Sequence, residues 1–350
     1  MKRLLLVLPV LLAAACSKDT PLGPEPQFAK AAPSVTITDL GTLGGTNSDA
    51  TGINASGQVV GYSELPGGTT HAFLWQNGTM TDLGTLGGTH SYASGINSAG
   101  QIVGRSFTTG GVEHAFLWQN GTMTDVSWPA TGGPDIGVTS SANGINDTGL
   151  IVGHAWSAQL GSFAFLYQIG SGWSSLNPSG FSAAYGVNNA GQVAGGSQFS
   201  GYQLEHAFFW PGSLMTDLGT LPGDNYSDAY GIDSKGLVVG RSGNSNASTV
   251  RGFIWKKGNG MTDLGSLSSQ YPYSVAYGIF DGQVVGTTSR DPVDGGGLTG
   301  FLWQKGKMIS LGVLPGHCLS EARAINSKGQ IVGQGVACDN SRHAILWTIK

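Results

Sequence analysis

The sequence predicts an all-β protein, a seven-bladed β-propeller of four-stranded antiparallel blades, closed by the N-terminal strand completing the last blade. Three observations predict it. The chain repeats itself: "HAFLWQNGTMTD" stands at residues 71–82 and again at 114–125, and "TDLGTLGGT" at 38–46 and 81–89. It begins part-way through one repeat and ends part-way through another. One segment of every repeat carries small residues at alternate positions.

Aligned on the phrase S-x-A-x-G-[IV], the repeat has seven copies, anchored at Gly52, Gly95, Gly144, Gly186, Gly231, Gly278 and Ala324. The intervals of 42 to 49 residues are those of propellers, solenoids and arrays. Each copy reads as four short strands, rich in β-branched and aromatic residues and bounded by Gly or Asn. In the second copy strand a is "SYASGIN", b is "QIVGR", c is "HAFLW" and d is "MTDLG". Tight Gly-bearing turns such as "NSAG" join a to b, and "QNGT" joins c to d as a hairpin signal. The Asn-x-Thr inside "QNGT" is turn chemistry.

Closure follows from the ends. "SVTITDLG" (34–41) is a d strand and "HAILWTIK" (343–350) a c strand, so pairing them completes the last blade and leaves no open edge. Ser48, Ser91, Ser140, Ser182, Ser227, Ser274 and Ser320 open the seven a strands, each followed two residues later by Ala and, in six copies, four residues later by Gly. A period of two places these on one face. Blades converge toward the axis, so strand a is innermost and d outermost. A blade is apolar on both faces and cannot bury itself alone; the repetition is a packing rule.

The flanks and the composition bound the function. Lys2 and Arg3, the apolar run "LLLVLPVLL" (4–12) and "AAAC" (13–16) form a secretory signal, residues 1–15, too short to be a membrane span. Cys16 directly after small residues resembles a bacterial lipoprotein processing site, which would lipidate Cys16; plain cleavage after Ala15 is the alternative. Ser17 beside it implies the outer membrane. Residues 16–33 read as a Pro-rich tether, and 34–350 as the propeller. The expected location is therefore an exported lipoprotein of the outer membrane or cell surface, periplasmic or extracellular if not lipidated. A net charge of −4 and a pI near 5.9 offer no basic footprint for nucleic acid. Gly at 58 of 350 residues with only 11% charged side chains, beside 32 aromatics, describes many turns around an ample core rather than disorder.

The phrases "HAFLW", "GIN..GQVVG" and "DLGTLGG" resemble the HAF extracellular repeat family, over residues 34–350. The strand order is similar to kelch-type propellers, though a Gly-Gly doublet ends the second strand only at Gly195-Gly196. The resemblance implies an exported repeat protein and brings no catalytic residues.

Recurring polar residues read as structural. His71, His114, His206 and His343 each belong to a different blade, too far apart for ligands near 2.1 Å from one metal. Asp39, Asp82, Asp125, Asp217 and Asp263 of "TDLG" each suit a bond to a neighbouring turn. No metal and no cofactor are assigned, although "PGDNYSD" (222–228) leaves calcium open. Cys318 and Cys338 fall in the d–a and b–c connections of the last blade, on one rim, and an oxidising compartment predicts their disulfide.

Function should sit where the copies disagree. Counting out from the a–b turns sets Asp49 opposite Tyr62, Tyr92 opposite Arg105, Ser141 opposite His154, Asp228 opposite Arg241, and Glu321 opposite Gln334. This end of each inner hairpin bears the long, variable connections, 127–140, 241–251 and 287–299. Variable loops on a rigid scaffold make the default binding face, so Asp49, Tyr62, Tyr92, Arg105, His154, Asp228, Arg241, Glu321 and Gln334 are the candidate binding residues. The expected protein is a non-catalytic monomer that binds a glycan, peptide or envelope protein and meets the membrane only through its lipid. Two rivals stand beside it: an exported hydrolase or lyase at the channel mouth using His154, Asp228 and Glu321, and an inert structural or adhesion module.

Overall fold

The computed structural model of the protein describes residues 35–349 apart from 129–137, 159–160, 177–180, 200, 202–203 and 248. The predicted leader, Cys16 and the tether lie outside the described residues, as does most of the 127–140 connection.

Seven four-stranded antiparallel sheets form seven blades. In blade 1 strand a is Ser48–Ile53, b Val59–Glu64, c Thr70–Gln76 and d Thr79–Asp82, paired in that order. Among the described residues the one helical element is a single 3-10 turn, Pro292–Asp294. The c–d hairpins close as "QNGT" predicts. Asn77 and Gly78 take φ of 53° and 84°, and Asn120 and Gly121 take 52° and 81°, the two-residue turn whose twist matches its strands.

In blade 7 the strands are His317–Ile325, Gln330–Ala337 and Arg342–Ile349, and the fourth is Val35–Asp39. Val35 lies opposite Ile349 and Asp39 opposite Ile345. The ring is therefore closed by the chain's own N-terminal strand, and each a strand touches the a strands of both neighbours around an unbroken circuit.

Each of the seven junctions between blades has its own apolar cluster. "HAFLW" packs on itself across them. Phe73 and Trp75 lie with Ala344 and Leu346 of the preceding blade, while Ala72 and Leu74 lie with Phe116 of the next. Burying one such ring is worth about 1.5–3 kcal/mol, and the alternation supplies it at every junction.

The small residues of strand a divide differently from a simple period of two. Every inner hairpin carries a β-bulge at this point, between the Ala and the Gly in six blades, as between Ala50 and Gly52, and between Ala322 and Ala324 in blade 7. Ser48 and Ala50 face the preceding blade, where Ala344 donates its N–H to the Ser48 hydroxyl at 2.8 Å. Gly52 faces the following one: a Cβ there would sit 3.6 Å from Gly95 Cα and 3.1 Å from a Val60 methyl. The Ser bond occurs at all seven junctions.

A second circuit runs around the rim of tight turns. Asn54 donates its side-chain amide to the Asn97 carbonyl at 3.1 Å, Asn97 to Asn146, Asn146 to Asn188, Asn188 to Asp233, and Asn326 back to Asn54 at 3.0 Å. Blades 5 and 6 lack the Asn: Asp233 takes its place in blade 5 and accepts the Gly282 N–H of blade 6 at 3.2 Å, and among the described residues the circuit is open between blades 6 and 7. The a–b turn of blade 6 is the two-residue Asp281-Gly282, with φ of 49° and 78°.

Cys318 and Cys338 form a disulfide, with Cα atoms 5.1 Å apart. Cys318 lies within strand a, at an extra bulge between His317 and Leu319, rather than in the d–a connection expected, and the bond ties the start of that strand to the b–c connection of the closing blade. Replacing both by Ser is expected to cost about 2–4 kcal/mol, read as a lower urea midpoint.

Candidate functional site

The inner hairpins pair in the register that turn-counting sets. Asp49 lies opposite Tyr62, Tyr92 opposite Arg105, Ser141 opposite His154, Asp228 opposite Arg241, and Glu321 opposite Gln334. Blade 4 offers only Ala183 and Gly196 there, and blade 6 Val275 and Thr287.

The bulge adds a second set that counting misses. The residue at the bulge is unpaired in each hairpin: Thr51, Ser94, Asn143, Tyr185, Tyr230, Tyr277 and, between Ala322 and Ala324, Arg323. Several reach across the axis-facing side to the next blade, as Thr51 does to the Ala93 carbonyl at 2.8 Å and Asn143 to that of Ala184 at 2.8 Å.

Together the two sets make a chain of contacts around the mouth. Tyr185 and Tyr230 pack with ring centroids 5.4 Å apart, and Tyr230 and Tyr277 at 5.6 Å. The Arg323 guanidinium lies 5.2 Å from the Tyr277 ring and reaches Asp49 at 3.4 Å and Glu321 at 3.0 Å. Asp49 accepts the Tyr62 hydroxyl at 3.0 Å, Tyr62 meets Tyr92 edge-on at 5.2 Å, and Arg105 covers Tyr92 at 4.7 Å. Arg241 adds a clamp on Asp228 at 2.8 Å beside Tyr226 and Tyr230.

Burial shapes the electrostatics. It raises the Tyr62, Tyr230 and Tyr277 phenols and pushes Tyr185 up to about 12, with neighbouring carboxylates assisting for Tyr62, Tyr230 and Tyr185. These tyrosines remain neutral hydroxyl donors at physiological pH. Burial also raises the Asp49 carboxyl against the pull of Arg323 and Tyr62. Glu205 is raised by burial and by Asp228 beside it. At the junction of blades 7 and 1, Asp49 Oδ1, Arg323 Nε and Gln334 Oε1 are buried without a hydrogen-bond partner. Each such group costs about 1–3 kcal/mol, and unpaired buried groups gathered in one network mark a place that ligand or water completes.

Burial and the Arg105 charge hold the His154 imidazole below its usual value. As pH falls below about 6.5, the unfolded chain takes up this proton before the folded one. Stability present at neutral pH is thus lost on acidification. His154→Gln is expected to flatten the fall in stability below pH 6.5, measured by denaturant titrations across that range; an unchanged slope would contradict the buried neutral state.

No protein-family model matches the chain, and no curated protein sequence does. Solved structures similar to it include TolB from Acinetobacter baumannii, with a TM-score of 0.46 and 13% identity over 84% of this chain and 64% of TolB. AofleA from Arthrobotrys oligospora aligns with a TM-score of 0.36 and 11% identity, over 79% of this chain and 89% of AofleA. SapL1 lectin, solved in complex with alpha methyl fucoside, aligns with a TM-score of 0.38 and 11% identity, over 76% of this chain and 95% of SapL1. The chain spans about two thirds of TolB's length, at 64%. The propeller assignment stands on the chain's own strand pairing.

The recurring histidines and aspartates pair with one another within each blade. His71 meets Asp82 at 2.9 Å, His114 meets Asp125 at 2.6 Å, His206 meets Asp217 at 3.1 Å, and His343 meets Asp39 at 2.7 Å. In blade 5 Arg251 takes the His position against Asp263. Each Asp also accepts the backbone N–H two residues on, fixing the turn after strand d. Within 222–228, Asp224 pairs with Arg251 at 2.9 Å and Asp228 with Arg241. Among the described residues no cluster of three or more His, Cys, Asp or Glu has the geometry of a metal site.

His154, Asp228 and Glu321 do not converge. His154 contacts Asn143 at 3.2 Å, Asp228 is held by Arg241, and Glu321 binds Gln334 and Arg323. The loop-bearing rim also displays Trp156, Phe181, Leu204, Tyr271 and Val293 as exposed apolar side chains, against Leu214 and Phe280 at the tight turns.

Proposed function

We propose that the protein is an exported, lipid-anchored member of the HAF-repeat family that binds a glycan of the cell envelope at its loop-bearing rim, without catalysis. The observation that supports this reading is the run of tyrosines and arginines from Tyr185 to Arg105 around the mouth. Aromatic faces accept the apolar face of a sugar ring, and guanidinium forks donate to its hydroxyls. Rigid side chains on a closed ring lose little freedom on binding. The hydrolase reading needs an acid and a base aimed at one point, and its three candidates are tied to separate partners.

The test is a glycan array and a pull-down on envelope polysaccharide, with wild type beside Arg105→Ala and Arg241→Ala. The expected result is capture by wild type and at least a tenfold loss in the variants at unchanged secondary structure. Equal capture by all three removes the rim from the reading. Cys16→Ser, followed by membrane fractionation, tests the anchor: the variant should leave the membrane fraction.

A further inference from the structure

We infer that the seam where the ring closes holds a subsite for one neutral pyranose, the terminal residue of the glycan proposed above; the inference rests on that reading. A cleft of about 230 Å³ opens there, lined by Asn47, Tyr62, Glu64, Thr70, Tyr92, Asn340 and Arg342. It draws on three blades: Asn340 and Arg342 come from the last, Tyr62, Glu64 and Thr70 from the first, and Tyr92 from the second. Its volume falls below the roughly 300–1,000 Å³ of sites for drug-sized ligands, which suits a single ring.

The polar groups in the cleft are unequally engaged. Glu64 is fixed by Thr46 Oγ1 at 2.7 Å and Asn47 Nδ2 at 2.8 Å, and these bonds lower its carboxyl below the usual value. It is a positioned anionic acceptor with lone pairs to spare. Arg342 bonds Asn47 through its backbone N–H, at 2.9 Å; among the described residues its guanidinium makes no hydrogen bond or ion pair, and it acts on Asp49 and Tyr62 only by its charge. Neighbouring Arg105, by contrast, is bound to Glu113 at 2.8 Å. One committed carboxylate and one uncommitted guanidinium in a small cleft favour a ligand with both donors and acceptors and no net charge. A uronate would face Glu64, and an amino sugar would face Arg342. Vicinal hydroxyls satisfy both, donating to Glu64 and accepting from Arg342, while the edge-to-face pair Tyr62 and Tyr92 offers a ring surface. Beneath the cleft, the Tyr62 hydroxyl is spent on Asp49, whose other carboxylate oxygen belongs to the unpaired buried set at the same junction.

The experiment is saturation-transfer NMR of the protein with neutral methyl pyranosides of glucose, galactose, mannose and N-acetylglucosamine, and with the matching hexuronates. At least one neutral glycoside should bind, and Arg342→Ala and Glu64→Gln should each weaken it tenfold or more. Lys256→Ala, an exposed change on blade 5 outside the rim and the seam, should leave this monosaccharide affinity unchanged. Bound glycoside should also raise Tm, because the cleft spans the closing junction. Binding unaffected by the two seam variants overturns the subsite. Preference for hexuronates overturns the neutral ligand, and no binding by any pyranoside overturns both. In each of those cases array binding that still depends on Arg105 and Arg241 leaves the rim reading standing, so the two failures are told apart.

Discussion

Deletion of residues 34–40 is expected to destabilise the protein by roughly 5 kcal/mol or more and to make it self-associate. The segment supplies a whole strand, from Val35 opposite Ile349 to Asp39 opposite Ile345. Its ladder hydrogen bonds are worth about 0.5–1.5 kcal/mol each. Leu40 is buried at the junction of blades 7 and 1, and Val35 and Ile37 pack against the cluster around Trp347. The deletion also bares the edge of Arg342–Ile349, an unpaired strand that templates association between chains. Urea unfolding and size-exclusion chromatography read the two effects. Added peptide spanning 34–42 should restore part of the loss. A monomer of unaltered stability after the deletion contradicts closure by this strand.

The second large effect belongs to the blade junctions. Phe116 is fully buried, in the cluster that holds Ala72, Leu83, Ala93 and Ile102. Phe116→Ala removes a ring from a close-packed junction and should cost about 3–5 kcal/mol. Surrounding residues cannot collapse inward: a Cβ on Gly104 would already lie 2.0 Å from the Tyr92 carbonyl and 2.9 Å from the Phe116 ring. Phe280→Ala is the control, since that ring is 40% exposed at a tight turn; surface changes of this kind stay within about 0.5 kcal/mol. Equal costs at the two positions would show that the repeated phrase is not kept for packing.

Much of this arrangement is legible before any coordinates. Fixed-length turns such as "NASG" make strand register countable, so Asp49 and Tyr62 can be paired from the letters alone. The two half-repeats at the ends announce the closing strand. What escapes is whatever depends on a neighbouring blade or on a break in alternation. The bulge after Ala50 sends Thr51 and its six counterparts toward the axis, and a strict period of two cannot show it. The letter between Ala and Gly is nonetheless variable in S-x-A-x-G, which is the signal that points to the mouth. The Asn circuit hides because each Asn answers a carbonyl 42 to 49 residues away or, at the seam, 272 away. Glu205 is missed because its partner Asp228 stands on the next blade.

The closing strand also has a polarity. Val35 pairs with Ile349 and, through Thr348, stands beside Gln330 at the end of the tight turns; Asp39 ends at His343, beside the long connections. The polypeptide therefore enters the ring on the blunt side. A rigid partner fused directly ahead of Val35 would therefore meet the ring on the blunt side, opposite the loop-decorated one.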